Sequence, residues 1–407
     1  MSFIIFLVII YSICKLTLDI YQMRFISSAY VSDGEMNKLG IDKEFVDRSN
    51  CYNIEKLKIS MVSTVIGISV IYFILLSSGL DMLNDYSSTI TNNIFDKELL
   101  MIIIFYLTIT LINLPINCYK TFVLEERFDF NKTSKKLFIR DFIVSTILSL
   151  FIVILLFKSF EYLYHMSTDF WWFYVWLLFI FVNLLTAYIF PTLIAPIFNK
   201  FKKLDDNKLT DSINELTAKT EFPIEDLYVM DGSKRSSHSN AYFTGVFGKK
   251  RIVFFDTLLD ILDKNEIRSV LAHEIGHYKE KHVLKSTLLL SLLSLIFLFV
   301  FYTFLSIAFT NNISLYSISP SSIAIMFILI SPMISFFLMP LLSSYSRKNE
   351  FEADNYAKVF TDSKDLVSSL LKLYRGNLSL IKSSKLYSMF YYSHPSVFDR
   401  INNLEKK

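Results

Sequence analysis

Charge is scarce in this chain. Asp, Glu, Lys and Arg make up only 19% of its 407 residues, against 53% hydrophobic residues that include 39 phenylalanines. That balance is too apolar for an ordinary soluble domain of this length. Cysteine occurs three times, at Cys14, Cys51 and Cys118, in or beside apolar runs and without paired spacing, which argues against both a disulfide framework and a cysteine-based zinc site. The net charge is only +3, and basic clusters such as NKFKK and KKRIVF sit where connecting loops belong, so nucleic-acid binding has no support. There is no internal repeat and no low-complexity linker. Histidine is also rare, six in all, so the place where histidines gather carries information.

Long apolar runs, in contrast, are abundant. Runs able to cross about 30 Å of hydrocarbon occupy residues 2–20, 59–80, 98–118, 142–164, 170–190, 286–309 and 322–345. The expected fold is therefore mainly α, a seven-transmembrane helical bundle with an extramembrane α+β part. The 98–118 run carries Asn113 and Pro115, features that in lipid need internal partners and point toward a cavity. Ser331 and Ser335 are further polar groups that could border it. The first run lacks a basic n-region, and its Lys15 and Asp19 fall where a signal peptide keeps its apolar core or cleavage zone, so it is read as a span. Lys and Arg concentrate in 21–58, 119–141, 191–285 and after 346. Basic loops stay cytoplasmic, which orients the N-terminus outside and both 191–285 and the C-terminal segment inside.

Three of the histidines lie in SVLAHEIGHYKEKH, where His273, Glu274 and His277 form the HExxH pattern of zinc hydrolases. Residues four apart on a helix share a face, so both imidazoles reach one ion, while Glu274 flanks its open position as a general base. A helix is expected here because Asp263 with Glu266 three residues on reads as a capping box. Such a zinc needs a third protein ligand. SRKNEFEADNYAKVF, directly after the last apolar run, offers Glu350, Glu352 and Asp354. Glu350 and Asp354 share a helix face, so one can bind the ion while the other accepts the outer N–H of a liganding histidine. The motif helix is expected to run on into the sixth span. His238 and His282 are left spare, His282 as a surface or interfacial group at the membrane boundary.

Between the fifth span and HExxH the periodicity changes. DLYVMDG, SNAYFTGVF and RIVFFD are short β-branched or aromatic runs broken by Gly232 and Gly248-Lys-Lys, the marks of strands and a hairpin with an exposed edge. Near the C-terminus His394 and Arg400 are two donors able to polarise a carbonyl or steady an oxyanion.

HEIGH followed by an SRxxExxAD segment resembles the type I CAAX prenyl proteases, integral-membrane zinc endopeptidases. ERFDFNKT (126–133), PTLIAPIFNKF (191–201), SSHSNAYFTG (236–245) and HPSVFDR (394–400) resemble segments of that family in the same order. The resemblance implies one zinc ion held by His273, His277 and Glu350, with Asp354 supporting the site. It also implies substrate pairing along Asn240 and Ala241, stabilisation of peptide or oxyanion by His394 and Arg400, and a large intramembrane chamber. Asp129 stands where the family usually has glycine. The implied substrate is a peptide or prenylated protein losing its C-terminal aaX. Alternatives are a membrane quality-control zinc protease of heat-shock type and a catalytically silent membrane binding or transport protein. The expected division is 1–190 (five spans), 191–285 (cytoplasmic insertion with hairpin and HExxH), 286–345 (spans six and seven) and 346–407 (cytoplasmic segment with the third ligand). A composition rich in Ile, Asn, Lys and Ser favours a bacterial plasma membrane, with the endoplasmic reticulum as the alternative.

Overall fold

A charge-free apolar run in hydrocarbon must satisfy its backbone internally, and a helix does this within one segment. The computed structural model describes residues 2–244, 250–310 and 319–406. Its first helices are α1 (Ser2–Ser28), α2 (Asp33–Leu39), α3 (Lys43–Ile71), α4 (Gly79–Ile90), α5 (Ile94–Tyr119), α6 (Lys135–Met166), α7 (Trp171–Ile189) and α8 (Ala195–Phe198). After β1 (Phe201–Lys203) come α9 (Asn207–Lys219), β2 (Ile224–Met230), β3 (Ala241–Thr244), β4 (Lys250–Phe255), α10 (Asp256–Ile261) and α11 (Lys264–Lys279). The chain then forms α12 (His282–Thr310), α13 (Pro320–Phe360), α14 (Ser363–Gly376), α15 (Lys385–Tyr391) and α16 (Val397–Glu405).

Among the described residues, helices α1, α3, α5, α6, α7, α12 and α13 are the 7 long and apolar enough to cross a membrane, and each overlaps one of the expected runs. In the most apolar window of each, at most 28% of the residues are buried within the protein. Helices filling a solid core would be buried on a broad face; the low burial fits a bundle that encloses a chamber. Asn113 is exposed and places its amide on the Ile109 carbonyl at 2.8 Å. Spans α3 and α5 continue as π-helical turns, Tyr72–Leu76 and Lys120–Glu125, and the second of these delivers Glu125 to the chain's extramembrane part.

Lys15 and Asp19 are buried together in α1, their ion pair 2.6 Å long, with Ser60 of α3 donating to Asp19 at 3.1 Å. Lys15 also lies over the Tyr391 ring of α15. The charges thus fasten α1 to its neighbours. Removing one partner of a buried pair strands the other, so Asp19→Ala should destabilise the protein by about 3–5 kcal/mol. Thermal unfolding in detergent measures this, and an unchanged midpoint would contradict the pairing.

The extramembrane sheet has the order β1-β2-β4-β3. β2 and β4 are parallel, while β1 on β2 and β3 on β4 are antiparallel. The three expected strands are present, with β3 at an edge; Gly245 and the turn residues Gly248 and Lys249 lie outside the described residues. NKFKK, read as a basic loop, instead supplies β1, a strand of 3 residues and too short to show a period. One hydrophobic core joins this sheet, α9 and α11 to the far end of α13, α14 and α16 through Ile213, Ile252, Ile275, Ala357, Leu366 and Leu404. Residues before and after the last two spans therefore fold as a unit.

The motif helix does not run on into the membrane. α11 ends at Lys279, Lys281 takes a left-handed φ of 56°, and α12 starts afresh at His282. Asp129, where glycine was the usual residue, also has a left-handed φ of 66°. Glycine adopts that region without penalty and aspartate tolerates it; here Arg48 clasps both the Phe128 carbonyl and the Asp129 carboxylate.

Candidate active site

Helix α11 starts as its sequence predicts. The Asp263 side chain accepts from the Asn265 and Glu266 amides, and Glu266 reaches back to the Asp263 N–H at 2.8 Å. The helix then presents His273, Glu274 and His277 to α13. Their close approach depends on Gly276: a Cβ there would lie 3.0 Å from Ala353 Cα and 3.1 Å from the Ala353 carbonyl oxygen. Any larger residue would push the two helices, and their ligands, apart.

Across that contact the Nε2 atoms of His273 and His277 are 3.2 Å apart, and the Glu350 carboxylate lies 3.5 Å from the first and 3.3 Å from the second. Donors bound tetrahedrally at about 2.0–2.1 Å from an ion are separated by about 3.3–3.4 Å, so the three fit one metal. Glu350 Oε2 is buried without a hydrogen-bond partner among the described residues and lies 3.4 Å from Arg400 Nη1, an acceptor facing positive charge. Burial alone would depress the His273 imidazolium, yet Asp354 and Glu350 push it up to about 9. The pocket thus draws positive charge, as a cation site must.

Both histidines are held from behind. Asp354 Oδ1 is 2.8 Å from His273 Nδ1, the arrangement that leaves Nε2 free to bind. His277 Nδ1 meets His282 Nδ1 at 2.9 Å, and His282 Nε2 meets Glu352 at 2.9 Å. With Nε2 of His277 as ligand, its Nδ1–H donates to His282, whose Nε2–H donates to Glu352. The expectation that His282 is a surface group is overturned: it is 3% exposed. Only the break at Lys281 folds it back onto His277, and spacing along the sequence does not reveal such a turn.

Glu274 faces the cleft between these elements, and burial raises its carboxyl above the ordinary glutamate range. His394 also lines the cleft; its side chain is 64% exposed, with Nε2 3.4 Å from Glu350. Arg400 is placed differently from His394. It is buried, and its Nε and Nη2 donate to Asp354 at 2.9 and 2.6 Å. Burial opposes its charge, and the Asp354 carboxylate more than restores it.

The cleft has a volume of about 1920 Å³ and is lined by His273, His277 and Glu350, by Asn240 and Ala241 and by the α1 and α3 residues Phe25, Tyr52 and Lys56. It does not include Asn113, Ser331 or Ser335. β3 offers it a strand edge, where the Ala241 N–H is held by the Asn240 side chain at 2.8 Å. His238, left spare by the sequence, bridges Asn377 at 2.9 Å and Glu125 at 3.4 Å beside this edge.

Comparisons with known proteins agree with this geometry. Residues 203–407 match the model of peptidase family M48, and residues 34–200 match that of the CAAX prenyl protease N-terminal region, five membrane helices. A CAAX prenyl protease 1 homolog from Dictyostelium discoideum is 37% identical over 307 residues, spanning 72% of this chain and 70% of the relative. The Homo sapiens CAAX prenyl protease 1 homolog is 31% identical over 416 residues, spanning 90% and 87%. The crystal structure of S. mikatae Ste24p matches with a TM-score of 0.88 at 29% identity, covering 98% of both chains. With HExxH and its carboxylate joined beneath seven spans, the chain belongs to peptidase family M48, as a multi-pass membrane metalloprotease of the CAAX prenyl protease family.

Proposed function

We propose that the protein removes the C-terminal aaX from prenylated CaaX proteins or peptides, with one zinc ion held by His273, His277 and Glu350. The observation that carries this reading is the cleft itself, in which the His–His–Glu group and Glu274 face both a strand edge and residues of the spans α1 and α3. A peptide can lie on the edge while its lipid enters the apolar chamber. The names of the relatives support the same substrate class.

Zinc held by His273, His277 and Glu350 would supply Lewis acidity toward water and the scissile carbonyl. Glu274 takes the proton of the attacking water and returns it to the leaving amine. Asn240 and Ala241 pair with the peptide backbone, exchanging the Asn240–Ala241 contact for bonds to substrate. His394 donates to the carbonyl oxygen as negative charge develops. Arg400, closed on Asp354, acts through that carboxylate to fix the His273 ring.

Residues 191–285 and 346–407 form the catalytic unit, and 1–190 and 286–345 the membrane part. The basic loops favour a catalytic unit on the cytoplasmic side with the N-terminus outside. Composition pointed to a bacterial plasma membrane; relatives from a slime mould, a yeast and human favour the endoplasmic reticulum. The match to the five-helix N-terminal model favours the prenyl protease reading over a heat-shock-type role.

A farnesylated CaaX peptide and its unprenylated twin, each with and without a zinc chelator, test the proposal. Chelator-sensitive release of aaX, at least about tenfold faster from the farnesylated peptide, is expected. Equal rates would make this a broad membrane peptidase, and no chelator-sensitive cleavage of either would refute the reading.

A further inference from the structure

The aaX to be released ends in a carboxylate, and that charge needs a partner once it leaves water. Of the cations lining the cleft, Arg347 is committed to the Ser388 and Tyr392 carbonyls, Lys382 to Glu35 and the Tyr30 carbonyl, and Arg400 to Asp354. Lys56 is different. Its ammonium lies 4.9 Å from the centre of the Tyr52 ring, and among the described residues it makes no hydrogen bond or ion pair.

Its position matches the direction a substrate would run. β3 is an edge strand, and a peptide added antiparallel to it starts opposite Thr244 and leads its C-terminal part past Asn240, Ser239 and His238. The cleft wall at that end is built and rigid. The His238 ring stacks on Phe130 at 4.1 Å and bridges Asn377 and Glu125, and the Tyr52 hydroxyl donates to Glu125 at 3.0 Å. Tyr52 is 3% exposed and is the surface on which Lys56 rests. The charged neighbours of Lys56 are Glu125 and Lys120. Both oxygens of Glu125 are already engaged by Tyr52 and His238, so the Lys56 ammonium is left for an incoming anion.

We infer that Lys56, held on Tyr52, binds the C-terminal carboxylate of the substrate and so sets the cut three residues from the chain end. A cation fixed on the cleft wall past the β3 edge selects the length of the tail beyond the scissile bond, about 10 Å for three extended residues. The inference rests on the proposed removal of aaX.

The test uses the full chain in detergent and two farnesylated CaaX peptides, one with a free C-terminal carboxylate and one with a C-terminal amide. Wild type should prefer the acid by about 10–100-fold in kcat/KM, the span expected for a charge-assisted contact. In Lys56→Gln that preference should fall to about one, Lys56→Arg should restore most of it, and Lys385→Gln, another cation of the cleft, should keep it. The Glu274→Gln background supplies the same comparison as dissociation constants, independent of turnover. Lys56→Gln that retains the acid preference, or Lys385→Gln that loses it, would overturn the subsite while leaving the peptidase intact. Wild type that cleaves neither peptide would refute the proposed function instead, and equal binding of acid and amide in the Glu274→Gln background would still overturn the subsite.

Discussion

Glu274→Gln lowers turnover of the farnesylated peptide by about 10³-fold or more and leaves zinc bound. The carboxylate faces the cleft beside the His273, His277 and Glu350 donors without being one of them, so the substitution removes the proton acceptor and spares the metal. General-base catalysis is worth about 10²–10⁴-fold, and an isosteric amide cannot accept the proton of the attacking water. Metal analysis of the purified variant beside its rate separates the two effects. A variant that turns over normally would remove Glu274 from the mechanism, and one that loses zinc would mean the carboxylate supports the metal site instead.

Glu350→Gln has the second large effect, and here the metal is lost. The carboxylate is the only acidic member of the ligand group, and an amide is a much weaker zinc donor. Residues behind the ligands matter less: Asp354→Asn and His282→Ala should each weaken zinc binding by about 10–100-fold, and Glu350→Gln by more than either. Competition against a chromogenic chelator ranks the three. The order itself is the prediction, since it separates a ligand from the groups that orient ligands. If Glu350→Gln bound zinc as tightly as Asp354→Asn, Glu350 would lose its assignment.

The parts of the site that the sequence reveals are those set by local spacing. HExxH on a capped helix, and two acids four residues apart on one face of a later helix, follow from helical periodicity, and α11 and α13 carry them, while the choice of Glu350 as ligand came from the resemblance. The spans were legible for a similar reason, because hydrocarbon thickness imposes a length on apolar runs. What stayed hidden depends on backbone breaks and long-range pairing. His282 returns to His277 only because the chain reverses at Lys281. The resemblance offered Arg400 as a donor to bound peptide or oxyanion; that its guanidinium lies against both Asp354 and Glu350 follows only from the packing of α16 on α13. β1 is recognisable only from its pairing with β2. Glu125 and His238 lie far in sequence from Tyr52 and Lys56, which are neighbours on α3, and only the folded chain brings them together beside the cleft.

The most direct test of the account is a zinc titration of the chelator-stripped wild-type protein, followed by hydrolysis of the farnesylated peptide at each step. The account predicts no activity in the stripped protein and a linear return that saturates at a single zinc per chain. Full hydrolysis by protein shown to be metal-free would contradict it.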